Sequence, residues 1–304
     1  MRVPSTPAVA TALHDAVLDW YALSARDLAW RRPTATPWGV LVSELMLQQT
    51  PVARVEPVWR EWMRRWPGPA DLAAEPPGEA VRAWGRLGYP RRALRLHACA
   101  VAVVDSYDGV VPADGDRLRD LPGVGAYTAA AVAAFAHGRR TVVLDTNVRR
   151  VLARLRGGAE RPAGTGPSRS EHDTAARLLP ADPPTAARWS VALMELGAVV
   201  CTARAPRCGD CPVSDHCAWL ALGAPPGPRE PATARTQAYA GNDRQCRGRL
   251  LAVLRETDGP VTEQVLHRAW DEPVQRSRSL AGLLADGLVE PVGHDAFALP
   301  GTAH

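Results

Sequence analysis

Three groups of residues in this sequence have the types and spacing to do chemistry. In Leu121-Pro-Gly-Val-Gly-Ala-Tyr127 two glycines precede an alanine-rich run. With no Cβ in the way, backbone N–H groups there can close on an anion, and the start of the helix that follows favours negative charge, so the phrase reads as a phosphate grip. Two carboxyls come next. Glu44 is a lone acid inside Trp38-Gly-Val-Leu-Val-Ser-Glu-Leu-Met-Leu-Gln-Gln-Thr50; among apolar neighbours it loses hydration and resists ionisation, which a general acid working near neutral pH requires. Asp145, in Leu144-Asp-Thr-Asn147, stands where a helix begins and is its natural N-cap. The third group is Cys201-x6-Cys208-x2-Cys211-x5-Cys217. That spacing brings four thiols to one centre from a single loop and the end of the preceding helix, as an iron-sulfur cluster requires; a four-thiolate zinc site is the alternative. Cys99 and Cys246 have no partners at such spacing.

The elements that must hold these residues are helices. Apolar periodicity predicts them over 10–30, 38–50, 52–66, 78–85, 91–105, 126–137, 146–155, 174–179 and 186–200, separated by turns such as Pro67-Gly-Pro69 and Gly88-Tyr-Pro90 and by a Gly/Pro/Arg/Ser loop at 157–170. The fold class expected is all-α. From Gly223-Ala-Pro-Pro-Gly-Pro228 the composition shifts to a linker, 223–244. Beyond it, 245–304 reads as helices at 245–256, 261–270 and 274–286, a strand at 288–292, and a turn at Gly293-His-Asp295 into 296–299, the pattern of a small winged-helix-like module.

Composition narrows the chemistry further. The 304 residues exceed one average domain, and a net charge of +4 with 46% apolar residues describes a mildly basic globular protein, compatible with nucleic acid without singling it out. All 36 basic residues are arginine, so no side chain can form a lysine Schiff base. No apolar run is long enough to span a bilayer and no secretory signal opens the chain. The expectation is therefore a cytoplasmic protein, a monomer with no membrane partner, whose clustered cysteines serve metal and not disulfides.

Taken together, the Leu121–Gly125 phrase, Asp145 and the cysteine loop resemble the endonuclease III superfamily of helix-hairpin-helix DNA glycosylases. Ser43-Glu-Leu-Met-Leu-Gln-Gln-Thr50, Gly88-Tyr89, Leu144 to Arg154 and Met194-Glu-Leu-Gly-Ala198 are similar to its adenine-specific, MutY-type branch. The resemblance covers roughly 15–220. It implies two helical lobes within 1–222: a six-helix barrel at 36–139, and a lobe made of 1–35 with 140–222 that carries a [4Fe-4S] cluster on Cys201, Cys208, Cys211 and Cys217. Double-stranded DNA holding a mispaired adenine would lie between them, its backbone gripped by Leu121, Gly123 and Gly125.

The same resemblance implies an enzyme of base excision repair, acting at the nucleoid, that hydrolyses the N-glycosidic bond of adenine opposite 8-oxoguanine or guanine. Glu44 would protonate the base and Asp145 would stabilise the cationic sugar, supported by Tyr127 and Asn147. Arg26, Trp30, Arg31 and Glu195 would line the pocket for the extruded base, and Leu47, Gln48 and Tyr89 would stand near the wedge that fills the gap. Arg91, Arg92, Arg149, Arg150, Arg204 and Arg207 are the candidate phosphate contacts. In the strand-nicking branch a catalytic lysine follows the Gly-x-Gly turn; here that place is Tyr127, which implies a monofunctional hydrolase. The tail departs from the family, many of whose members carry a β-rich Nudix-like domain that reads 8-oxoguanine, so weaker discrimination between opposing bases is expected. The rival readings are an endonuclease III-like glycosylase of oxidised pyrimidines and a non-catalytic iron-sulfur DNA-binding protein.

Overall fold

A computed structural model describes residues 7–227 and 241–303; most of the expected linker, at 228–240, lies outside the described residues. The chain divides into two compact units, one of Met1–Pro37, Ala113–Asp116 and Gly125–Glu230, the other of Trp38–Pro112, Arg117–Val124 and Pro231–His304.

In the first unit, the helices Pro7–Ser24, Thr146–Leu155 and Pro183–Val199 enclose a core of Leu13, Val17, Val148, Val151, Leu152, Leu155, Trp189, Leu193 and Leu196. Thr146–Leu155 shows why. Its apolar residues recur at Val148, Val151, Leu152 and Leu155, one stripe at helical spacing that needs a partner face. The helix Ala126–His137 packs on Pro183–Val199 through Ala131, Ala134 and Ala187, and Gly138, in the left-handed conformation, ends it.

Two helices of the first unit differ most from their expected bounds. The first helix stops at Ser24, short of residue 30, because the N–H of Arg26 is taken by the Glu195 carboxylate at 3.2 Å; the chain then re-forms a single 3-10 turn, Ala29–Arg31. The helix expected at 174–179 spans Arg169–Leu178. Ser168 and Glu171 cap each other's backbone N–H groups, so the helix starts inside a stretch whose composition reads as loop.

The second unit is built on the buried helix Pro37–Leu47, with Val52–Arg65, Pro77–Trp84 and Arg91–Tyr107 around it. Trp62 stands edge-on to Trp66 and Trp84, ring centroids 4.8 and 5.7 Å away, and Leu72, Leu96 and Val103 are fully buried in the same unit. The C-terminal module belongs to this unit. Its helices are Asp243–Glu256, Glu263–Ala269 and Pro273–Ala285. Its sheet has three antiparallel strands, Val261–Thr262 and Glu290–Val292 flanking Ala296–Ala298. The strand Val261–Thr262 falls where the sequence pattern reads as helix, since two residues are too few to show a period of two.

Reciprocal hydrogen bonds dock the module on the helix Pro77–Trp84. Arg82 donates to the carbonyls of Arg255 and Thr257, Arg255 donates back to the carbonyl of Val81 at 2.9 Å, and the N–H of Gly78 donates to the carbonyl of Pro300 at 2.7 Å. A Cβ on Gly78 would come within 2.6 to 2.8 Å of Thr302, Pro300 and Leu299. Gly78→Ala is therefore expected to cost about 1–3 kcal/mol in denaturant unfolding, whereas Gly115→Ala, where a Cβ meets nothing, is expected to cost less than half as much.

Candidate active site

In the second unit the helix Pro37–Leu47 buries nine consecutive residues, Trp38 to Met46, and Glu44 is the only acid among them, 6% exposed. Immediately after this helix the chain turns through the half-buried Leu47 and Gln48 to an exposed Gln49 with φ of +58°. A second turn, Gly88-Tyr89, also has positive φ at both residues and leaves Tyr89 54% exposed. One side chain ties these turns together. The Arg92 guanidinium donates to the carbonyls of Leu45, Met46, Gln48 and Gly88 and to the Thr50 hydroxyl. It also lies 5.2 Å from the Trp84 ring and 5.5 Å from that of Tyr89. Arg92 was expected at a phosphate; it is 5% exposed instead, and burial holds its pKa down at about 10. Its neighbour Arg91 is exposed and pairs with Asp286 at 3.2 Å.

Leu121 and Gly123 belong to the same unit. Leu121 is buried, and Gly123, at φ +82°, is packed so closely that a Cβ would meet Arg95 at 3.2 Å and Leu45 at 3.5 Å. The hairpin thus rests against the helix of Glu44. Gly125 opens the helix Ala126–His137 in the first unit, its backbone exposed and with nothing near a would-be Cβ.

The first unit gathers the other predicted residues. Glu195, with a side chain 0% exposed, accepts from Arg26 at 2.6 and 2.8 Å and from Arg31 at 2.8 Å. Burial pushes this carboxyl upward, but the hydrogen bond from Arg26 and the charge and hydrogen bond of Arg31 outweigh it and bring the pKa to about 2. Trp30, in the turn between the two arginines, is buried. Tyr21 was read only as part of a helix's apolar face; its hydroxyl hydrogen-bonds Arg31, and burial raises its pKa.

Asp145 caps the helix Thr146–Leu155: it accepts from the N–H of Val148 at 2.6 Å and from the Asn147 amide at 2.7 Å. Burial raises its pKa against the lowering effect of those bonds and of Arg150. The chain of contacts continues. Arg150 donates to Asn147 at 2.8 Å, to the carbonyl of Gly197 at 2.6 Å and to that of Cys201 at 2.8 Å. Gly197 lets the helix of Glu195 approach, since a Cβ there would meet Asn147 at 2.7 Å. Tyr127 packs against the cluster of Ala131, Ala134, Val143 and Ala187, as Met194 does. Arg149, expected at a phosphate, is 4% exposed and is spent on Glu171 and on the carbonyls of Ala163, Gly164 and Thr165. Arg204 and Arg207 are exposed, and Arg207 pairs with Asp210 at 3.5 Å and donates to the carbonyl of Val199 at 2.9 Å.

Cys201, Cys211 and Cys217 pack against the core of this unit. Burial, and then the charges of Cys201, Cys217 and Cys208, push the Cys211 thiol up to about 11, so all four thiols sense one another. Four mutually repelling thiolates are a donor set that only bound cations make stable. No described helix is long and apolar enough to cross a membrane.

Known proteins resemble this chain in both sequence and fold. The HhH-GPD superfamily of base excision DNA repair proteins matches residues 42–174, and the iron-sulfur binding domain of endonuclease III matches residues 201–217. The adenine DNA glycosylase of Mycolicibacterium smegmatis is 55% identical over 287 residues, covering 94% of this chain and 95% of its own, so the match takes in most of the C-terminal module as well. Among solved structures, a thermostable thymine-DNA glycosylase superposes with a TM-score of 0.63 at 27% identity over 70% of this chain and 97% of its own. A non-covalent endonuclease III–DNA complex superposes with 0.59 at 25% identity over 72% and 99%.

The ion triad makes its own prediction. Because the folded pKa of Glu195 lies below its ordinary 4.5, the stability it contributes is fully present above pH 4.5 and is lost as pH falls toward 2. Glu195→Gln is expected to lower unfolding free energy by on the order of 3 kcal/mol at pH 7, and chemical denaturation should show the same gap to the parent at pH 7 and 5 and a narrower one at pH 3.

Proposed function

The chain belongs to the adenine DNA glycosylases of the helix-hairpin-helix superfamily, iron-sulfur enzymes of base excision repair, and from there we propose that its substrate is adenine mispaired with 8-oxoguanine or guanine in duplex DNA, removed by hydrolysis. The observation that carries this reading is Glu44, a carboxyl held by the rigid helix Pro37–Leu47 with buried residues on both sides of it. Adenine leaves poorly as an anion. A proton delivered to a ring nitrogen makes it a neutral leaving group, and Glu44 is the donor.

As the bond breaks, positive charge builds on the sugar. Asp145 meets it as a carboxylate whose two oxygens are already oriented by Val148 and Asn147, so little reorganisation is needed. Arg26, Trp30, Arg31 and Glu195 receive the extruded base; the carboxylate is an acceptor for the exocyclic amine of adenine, a group that guanine replaces with a carbonyl at that position. Tyr89, with Leu47 and Gln48, fills the space the base vacates, and the clamp of Arg92 keeps the two turns that carry them in register. Gly123 and Gly125 grip the backbone phosphate. Cys201, Cys208, Cys211 and Cys217 hold the cluster, which when bound orders the loop bearing Arg204 and Arg207. With no lysine in the chain, no side-chain Schiff base forms.

Purified protein given duplexes with adenine opposite 8-oxoguanine, guanine, cytosine or thymine is expected to excise adenine opposite the first two. Loss of cleavable sites from all four would contradict the proposal. Glu44→Gln is expected to slow single-turnover excision by about 10²- to 10⁴-fold. Since Asp145 acts ionised and burial raises its pKa, the acid limb of the rate profile should lie above the ordinary aspartate value of 3.8.

A further inference from the structure

Arg154 takes no part in the reading above, yet it is the most deeply buried cation in the first unit, 1% exposed. Its guanidinium is spent on the cysteine loop. It donates to the carbonyl of Thr202 at 2.8 Å, to that of Ala203 at 3.3 Å, to that of Cys201 at 3.4 Å, and to the Cys201 Sγ itself at 3.3 Å; Nε donates to the carbonyl of Glu160 at 2.9 Å. Its other face covers Trp219, 4.8 Å from the ring centroid, two residues after the last cysteine ligand.

Among the described residues Arg154 makes no ion pair with a carboxylate. Carbonyl oxygens satisfy its N–H groups but do not cancel its charge, and a guanidinium does not discharge itself by losing a proton. An uncompensated buried cation costs several kcal/mol. The one group in its shell that can carry a full negative charge is the Cys201 sulfur, and it does so as a thiolate bound to iron.

We propose that Arg154 is the counter-charge of the cluster site. The guanidinium faces the sulfur of a cluster ligand at 3.3 Å, so when the cluster is bound its fixed positive charge and the negative charge of the iron-bound thiolate stabilise each other. Two consequences follow. The cluster is retained more tightly because of Arg154. Its reduction potential is also raised, since a fixed positive charge and a hydrogen bond to a ligating sulfur both favour the state with one more electron. Arg150, 2.8 Å from the carbonyl of Cys201, adds charge nearby but makes no contact with a sulfur.

The test is Arg154→Gln, which keeps hydrogen-bonding capacity and removes the charge, beside Arg154→Lys, which keeps the charge and loses the fork. The full-length chain is purified with its iron. Three quantities are read: iron per protein, the rate of visible-absorbance loss to an excess of chelator, and the midpoint potential of the iron-loaded fraction at an electrode that supplies or withdraws the single electron. Arg154→Gln is expected to release iron at least tenfold faster and to shift the reduced-to-oxidised ratio about tenfold toward oxidised, about 59 mV lower for one electron. Arg154→Lys is expected to keep most of the potential while releasing iron faster than the parent. If both variants unfold more easily but hold the parent's potential, Arg154 is a brace for the loop and not a counter-charge, and the proposal fails. It fails equally if Arg154→Gln releases iron no faster than the parent.

Discussion

A guanidinium taken out of water must find acceptors for its N–H donors and keep its charge, and this fold answers with backbone carbonyls drawn from loops and helix ends, although Arg92 Nε is left without a partner. Arg92 collects carbonyls from the end of the Glu44 helix and from the Gly88-Tyr89 turn. Arg149 holds the loop at residues 163–165 against Glu171. Arg150 joins Asn147, Gly197 and Cys201, and Arg154 closes the cysteine loop. Loops and helix ends expose carbonyls that have no partner within their own element. A planar fork reaching several of them fixes their spacing in a way that an ammonium does not. Having no lysine, the chain relies on arginine both for charge and as its means of tying irregular backbone.

The two proposed catalytic carboxyls are held differently, and the difference suits their tasks. Glu44 sits within an unbroken helix, 6% exposed and with buried residues on both sides of it. Asp145 stands at a helix start, where two N–H donors orient its oxygens and favour its charge while burial opposes it. A proton donor gains from surroundings that discourage ionisation, and an electrostatic stabiliser from donors that sustain it. Glu195 is a third case. Two arginines drive it to about 2, so it stays ionised through the physiological range.

Much of this was legible in the residues. The thiol spacing, the Gly-x-Gly turn and the lone acid in an apolar helix each reflect chemistry with few substitutes. The arginines were not legible. Arg91 with Arg92, and Arg149 with Arg150, are adjacent on helices, so each pair points about 100° apart and cannot share one face. Sequence shows a basic pair; only packing decides which member is the clamp, and in both pairs one is buried. Helix limits failed for similar reasons. The first helix ends where a residue far along the chain takes the N–H of Arg26, and that is a tertiary contact with no local signal. The helix from Arg169 did have a signal, the capping box of Ser168 and Glu171, obscured by the loop-like composition around it.

The central claim is that a carboxylic acid and a carboxylate, with no amine nucleophile, break a glycosidic bond and leave the strand whole. The most direct measurement follows a duplex with adenine opposite 8-oxoguanine under single turnover, with free base and strand length assayed in the same samples and no alkali or heat applied. Free adenine should appear in step with abasic sites while the strand keeps its full length. Strand scission rising together with base release, or a strand cut with the adenine still attached, would contradict the account.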